Sequence, residues 1–429
     1  MSNLGTRENP LRAAIVGSGP AGFYAAEALI ESGPTLLVDM FERLASPFGL
    51  VRSGVAPDHP KLKQPILVYQ QIAESPQFRF LGNVTVGRDV SVPELKDCYH
   101  VVVFACGAQT DRAMGIGGEY LPGSRAATEF VGWYNGHPDH RAPAIDGVRS
   151  ALIIGNGNVA IDVARVLAKS STELAGSDLS ADVMSWLEAQ PIESIHIVGR
   201  RSAADAKFTQ HELAELGTLQ RAVPTVMDPA SVFGNGAIVE TLRTFTKNQS
   251  RSAQVTICFH FNLTPIGFLG NERLSAVQFR SANGAVTEIP AQLAVTCIGY
   301  ETRACCTANP ANGVFTNEEG KVEDRLYVVG WAKRGPSGTI PTNRAEAQQV
   351  AQKIAQEVPD SVRPGRAGVL PLLEQRQVCW VDYAAWRRID AAELARAGGE
   401  RCRGKLTTVT GMLKAAQVDQ SLSCPSAIT

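Results

Sequence analysis

The sequence predicts an α/β protein with two parallel sheets, each serving its own glycine-rich loop, and with the second unit inserted into the first. Three observations predict it. A short apolar run from Leu11 to Val16 leads into Gly17-Ser18-Gly19-Pro20-Ala21-Gly22. A second, from Ser150 to Ile154, leads into Gly155-Asn156-Gly157-Asn158-Val159-Ala160. Two more apolar runs, residues 100–106 and 293–298, each deliver a glycine and bracket the second motif. A chain that leaves one sheet and returns to it reads this way, giving units of 1–106 plus 299–429 and of 107–298.

The first motif has the size of a strand–helix–strand unit. Residues 23–30 continue in helical character, Gly33-Pro34 stops them, and Leu36 to Phe41 reads as the next strand, ending at Glu42. Gly17 permits the tight turn, Gly19 lets the backbone approach a pyrophosphate, and Gly22 lets helix pack on strand. The helix start offers free N–H groups to phosphates, and Glu42 can accept hydrogen bonds from a ribose diol. A glycine-rich turn without that context would be weak evidence of a dinucleotide.

In the second unit residues 161–168 supply the helix after the GxGxxA loop. The next strand is delayed by a polar stretch, 169–193, with a short apolar pattern around Met184 to Leu187. It then arrives as Ser194 to Val198 and ends in Gly199-Arg200-Arg201. No acidic ribose reader stands there. A carboxylate would repel a 2′-phosphate and a guanidinium clamps one, so this site is expected to prefer NADP(H) to NAD(H). Residues 255–261, 274–279 and 285–289 read as strands with turns at Gly270-Asn271 and Asn283-Gly284. Residues 325–329 form another. Gly330-Trp331 and a turn-rich loop, 334–340, follow, and Asn343 is placed to cap a helix over 344–357. The fold class is therefore two Rossmann-like dinucleotide-binding domains. The common physical pairing puts FAD in the first and a nicotinamide in the second, with hydride passing between them.

Composition narrows the function. Of 429 residues 44% are apolar and 19% charged, which excludes a wholly disordered chain. Lys and Arg total 41 against 42 Asp and Glu, so no net charge favours nucleic acid. No apolar run is long enough to span a bilayer, and the short polar start is not a secretory signal. Nine cysteines show no CxxC spacing, so no zinc ribbon, iron–sulfur run or thioredoxin-type dithiol is expected, and no metal. Reduced thiols and a cytoplasmic setting are the simplest reading. The adjacent Cys305-Cys306 pair is expected to be incidental, because neighbours rarely form an unstrained disulfide.

The blocks Pro47-Phe48-Gly49-Leu50-Val51-Arg52 and Val55-Ala56-Pro57-Asp58-His59-Pro60 make the chain resemble the adrenodoxin reductase family, the ferredoxin–NADP+ reductases built on a glutathione-reductase-like fold. Phe130 to Gly136, Gly155 to Ala160, Gly199 to Arg201 and Gly330 to Pro336 match too, in family order, from near residue 12 to about residue 390. The resemblance implies hydride from NADPH to FAD, then single electrons to a ferredoxin-like iron–sulfur protein. It implies that Ala21, Glu42, Leu50, Val86, Trp331 and Gly338-Thr339-Ile340 contact FAD. Asn156, Gly157, Asn158 and Val159 hold the NADP pyrophosphate, Arg200 and Arg201 its 2′-phosphate, and Gly338 touches both cofactors. Glu212 lies by the nicotinamide, and His59 and Glu215 are the catalytic pair. From the residues alone, His59 reads equally as an ordinary loop histidine, and Glu212 with Glu215 as a solvated acidic face.

The chain departs from the family pattern at Ser53, at Lys207 and over 231–254, which leaves partner preference open. Rival readings are a disulfide reductase, which needs a dithiol, a flavin-dependent NADPH monooxygenase, and a nucleotide-binding sensor. Residues 376–405 carry six arginines and one lysine against four carboxylates, a mild excess that is read either as steering an acidic partner or as a solvated helical face.

Overall fold

The computed structural model describes residues 4–32, 35–248, 253–302, 313–399 and 401–418. The Gly33-Pro34 stop and the Cys305-Cys306 pair lie outside them. Strands β1 Leu11–Val16, β2 Leu36–Glu42, β3 Phe78–Gly82 and β4 Val101–Phe104 open the first sheet. The chain then crosses through β5 Thr110–Asp111 to β6 Ser124–Ala126, β7 Ser150–Ile154, β8 Ser194–Val198, β9 Ala222–Val226 and β10 Val255–His260. A hairpin series follows, β11 Leu263–Leu269, β12 Ala276–Ser281 and β13 Val286–Pro290. The chain next enters β14 Leu293–Thr296, crosses back through β15 Tyr300–Glu301, and ends its strands with β16 Lys321–Glu323 and β17 Leu326–Val328.

The first sheet runs β16-β17-β4-β1-β2-β3 and the second β6-β14-β7-β8-β10-β9. The second is parallel throughout, and the first is parallel except for β16. So strands before and after the second sheet share the first one. Parallel sheets are covered on both faces, which is why their strands read as continuous apolar runs rather than alternating ones. Val101 to Phe104 are all fully buried. The one charge inside β2, Asp39, is satisfied: it accepts from the Tyr99 hydroxyl at 2.8 Å and from Arg366 at 2.6 Å. On the second sheet, Leu152, Ile154 and Val198 pack against Phe268, Val277 and Phe279 of the antiparallel β11–β13 layer.

The two crossings pair with each other. β5 and β15 form an antiparallel ribbon, Tyr300 opposite Asp111 and Glu301 opposite Thr110. Arg112 N donates to Gly299 O at 3.1 Å and Thr302 Oγ1 to Gly107 O at 3.1 Å.

The structure moves one helix start and supplies elements that the sequence left unassigned. The helix after the 334–340 loop starts at Ile340, not Arg344, with Thr339 as its cap. Asn343 lies inside it, where its carboxamide accepts from Arg334 at 2.9 Å. Strands β9 and β11 contain Pro224 and Pro265, residues that argue against a strand in sequence. Both strands are sheet edges, where a missing N–H leaves no ladder bond unmade. The pattern at 184–187 belongs to a helix, Ala181–Ala189, capped by Ser180.

Candidate active site

The two glycine loops are built alike. Gly17 has φ +109°, and a Cβ there would fall 2.5 Å from the carbonyl oxygen of Ala105. Gly155 has φ +147°, and its Cβ would fall 2.2 Å from the carbonyl oxygen of Cys297. Each first glycine is thus pressed on the strand that leaves its sheet. Gly22 closes against Gly17 O, where a Cβ would stand at 2.1 Å. The middle glycines behave differently. Apart from its chain neighbours and its own helix, a Cβ on Gly19 or Gly157 would meet no atom of the described residues within 4 Å. Nothing among the described residues demands glycine at these two positions, and a ligand approaching the backbone would. Both stand at helix starts, Pro20–Glu31 and Asn158–Ala168.

Around the first loop, Glu42 accepts from Ser18 N at 3.0 Å and Ser18 Oγ at 2.7 Å, with its second oxygen on Leu44 N. Phe48 adopts the left-handed region, φ +84°, and its N–H donates to Ser18 O at 2.9 Å, so the 47–52 block packs on the loop. Leu50 is 46% exposed on that block. Ala21 meets Gly330, where a Cβ would fall 2.5 Å from its own. Trp331 stacks on Tyr300 with ring centroids 6.0 Å apart. Gly338, φ +80°, and Thr339 lead into helix Ile340–Glu357. Val86 is buried in the core, so only its backbone is available to a ligand.

Around the second loop, the Asn156 carboxamide lies against Gly199, its Oδ1 buried without a hydrogen-bond partner. Asn158 Oδ1 accepts from Thr209 N at 2.7 Å, and Val159 packs at the edge of the core. Arg200 and Arg201 are exposed, and neither makes an ion pair among the described residues. An open glycine and two exposed guanidiniums fit a nucleotide phosphate group. The first loop, with Gly19 open and Glu42 at the β2 terminus, fits a second dinucleotide.

The structure brings His59 and Glu215 together, His59 Nε2 standing 2.8 Å from Glu215 Oε2. They are 156 residues apart in sequence. Glu212 lies 3.8 Å from His59 Nδ1. Both glutamates sit on helix Gln210–Glu215, capped by Thr209, and at 13% and 24% exposure they are not a solvated face. Hydrogen bonding to Glu215 raises the His59 pKa, against burial and the nearby Arg165. The Glu215 carboxyl, which burial alone would push up, is pulled down to about 2 by His59, Arg165 and Lys169.

Sequence reasoning missed the cations. Arg165, fully buried on helix Asn158–Ala168, pairs with Asp58 at 2.8 Å, Asp162 at 2.8 Å and Glu212 at 3.0 Å. Lys169 reaches Asp58 at 2.6 Å and Glu215 at 3.2 Å. The available signal was the spacing Asp162, Arg165, Lys169, a charged stripe on an otherwise apolar helix.

Part of the C-terminal basic stretch is spent inside the protein, while Arg387, Arg388 and Arg396 are exposed. Arg376 pairs with Glu94, Arg403 with Asp390 and Glu393, and Lys405 is buried on Asp178.

A profile described as pyridine nucleotide-disulphide oxidoreductase matches residues 11–353. The chain is 39% identical to NADPH-ferredoxin reductase FprA of Mycobacterium tuberculosis, over 94% of this chain and 99% of that one. The chain belongs to the adrenodoxin reductase branch of this family. Human mitochondrial NADPH:adrenodoxin oxidoreductase, another member similar to it, is 36% identical over 96% of this chain and 93% of its own. The solved structure of M. tuberculosis FprA in complex with NADPH superposes with a TM-score of 0.89 at 35% identity, covering 95% of this chain and all of that one. The branch thus carries the pyridine nucleotide-disulphide fold, while this chain has no dithiol spacing to match the family's name. No helix among the described residues is long and apolar enough to cross a membrane.

Proposed function

We propose that the chain is an FAD-dependent NADPH–ferredoxin reductase, and the 2.8 Å pairing of His59 from the first unit with Glu215 from the second is the observation that carries this reading. Residues 1–106 with 299–429 form the FAD unit and 107–298 the NADP unit. FAD, when bound, supplies the conversion of one hydride into two single electrons. Gly17, Gly19, Ala21, Gly22, Glu42 and the 338–340 loop hold it, with Leu50 and Trp331 at its ring. Asn156 to Val159 hold the NADPH pyrophosphate, and Arg200 and Arg201 take the 2′-phosphate. The overall change is NADPH plus two oxidised one-electron carriers giving NADP+, two reduced carriers and one proton. His59 and Glu215 orient the nicotinamide, and the imidazole held by the carboxylate receives that proton. The carriers are small iron–sulfur proteins, in a reducing cytoplasmic setting.

Two measurements test this. Purified protein should be yellow and should bleach anaerobically with NADPH, then reduce members of a ferredoxin panel, with glutathione disulfide and thioredoxin left untouched. Rapid disulfide turnover with no ferredoxin reduced defeats the acceptor. Arg200→Ala and Arg201→Ala should each lower the NADPH-over-NADH preference in kcat/KM. One charge-assisted bond is worth about 1.5–3 kcal/mol, or roughly 10- to 100-fold. An unchanged preference in the double variant defeats the nucleotide assignment.

A further inference from the structure

We propose that Arg165 is the positioning residue of this site: its buried guanidinium holds the two segments that supply His59 and Glu215 in register and fixes which imidazole nitrogen carries the proton. The inference rests on the reading that His59 and Glu215 serve hydride transfer from NADPH.

The argument begins with where Arg165 sits. It lies on the helix that begins at the nucleotide loop, so its place is set by the same element that meets the pyrophosphate. It is fully buried, and besides Asp162 on its own helix it holds residues next to His59 and Glu215. Its Nε and Nη2 donate to the two oxygens of Asp58 at 2.8 and 3.1 Å, a fork that pins the residue next to His59. Its Nη1 donates to Glu212 at 3.0 Å, on the helix that carries Glu215. Asp58 comes from the first unit and Glu212 from the second. A planar fork with fixed donor directions sets distance and angle together, which a lysine cannot do.

The same side chain determines the histidine tautomer. Arg165 Nη2 stands 3.4 Å from His59 Nδ1. A guanidinium has donors only, so Nδ1 must be the accepting nitrogen. The ring proton then sits on Nε2 and points to Glu215 Oε2 at 2.8 Å. Every charged group around the ring takes part. Asp58 stands on its own loop, Glu212 and Glu215 on helix Gln210–Glu215, and Asp162, Arg165 and Lys169 along helix Asn158–Ala168 and its end. Four carboxylates face two permanent cations, an imbalance that favours a proton on His59. Arg165 is the closest positive charge opposing it, so the imidazole can gain and lose that proton during turnover.

The test compares Arg165→Met and Arg165→Lys with wild-type holoenzyme, reading His59 by 15N NMR, assigned with His59→Gln, alongside single-turnover flavin bleaching by NADPH. In Arg165→Met, His59 should lose its single tautomer and titrate about one pH unit higher. Bleaching should slow about 100-fold, as expected when reacting groups lose alignment. Arg165→Lys keeps a charge among the four carboxylates, and so keeps the fold. It should hold the His59 titration near its wild-type position yet leave a tautomer mixture and a slow rate, because the fork is gone. An unchanged His59 tautomer and titration in both variants overturns the proposal, whatever the activity. The reading beneath it fails separately, if His59→Gln and Glu215→Gln bleach with NADPH at the wild-type rate.

Discussion

At the scale of single residues, the strongest structural demand away from the site falls on Glu393. It is fully buried and accepts from Arg52 at 2.9 and 2.6 Å, from Arg403 at 3.0 Å and from Leu406 N at 2.9 Å. Arg52, the last residue of the 47–52 block, also lies 5.0 Å above the Trp386 ring. The block therefore anchors the loop beneath it to the C-terminal helices. Removing one partner of a buried pair costs about 3–5 kcal/mol. Glu393→Gln should lower stability by that much at neutral pH, measured by denaturant unfolding, and equal midpoints would refute the pairing. Burial raises the Glu393 carboxyl, but the Arg52 contacts more than reverse this and its pKa ends lowered. A lowered folded pKa gives stability that is present above the ordinary glutamate range and is lost as pH falls through it. The gap between variant and wild type should therefore close below about pH 4.3. Arg52 was legible in its motif. Glu393 was not, since a partner 341 residues away leaves no local pattern.

At the scale of elements, the glycine loops make opposite predictions for one methyl group. Gly155→Ala places a Cβ against Cys297 O at a backbone angle closed to L residues, so it should destabilise the second unit, by about 1–3 kcal/mol for the strain alone. Gly157→Ala meets open space at φ −116° and should fold normally. It should instead raise the KM for NADPH about tenfold, a loss near 1.4 kcal/mol. Thermal melting and steady-state kinetics on the two variants separate fold from ligand, and a stable Gly155→Ala with normal KM would refute the first claim. The strand-to-loop junctions were legible because buried parallel strands spell continuous apolar runs that end on glycine. Edge strands with proline were not, and neither was the start of helix Ile340–Glu357. There Thr339 and Thr342 cap each other locally, while Asn343, the stronger capping type, is occupied by Arg334.

At the scale of the whole molecule, the inserted unit is held at a second place besides the crossings. Asp178, buried in the polar stretch before β8, takes Lys63 at 2.6 Å and Lys405 at 2.8 Å. Asp178 N donates to Pro57 O at 3.2 Å, and Cys402 N to Ser177 O at 3.2 Å. The stretch that delays a strand in sequence is therefore a fastening between units, and the C-terminal lysine that looked like partner-steering charge is its buried end. Composition sees charge but not whom it faces. Asp178→Asn leaves two ammonium groups without a counter-charge. It should expose residues 401–406 and 170–179 together to hydrogen exchange while β1 to β4 stay protected. Exchange unchanged in both segments would refute the fastening.

The paired crossings decide what kind of movement can release a spent nucleotide. Two separate tethers would let the units bend in any direction. A two-stranded ribbon tolerates torsion but resists sliding of one strand along the other, because sliding breaks every rung. Each end of the ribbon is rooted beside a glycine loop, Ala105 under Gly17 and Cys297 under Gly155. An angular change between the units therefore pivots beside both loops and has to break the Lys63 and Lys405 pairs with Asp178.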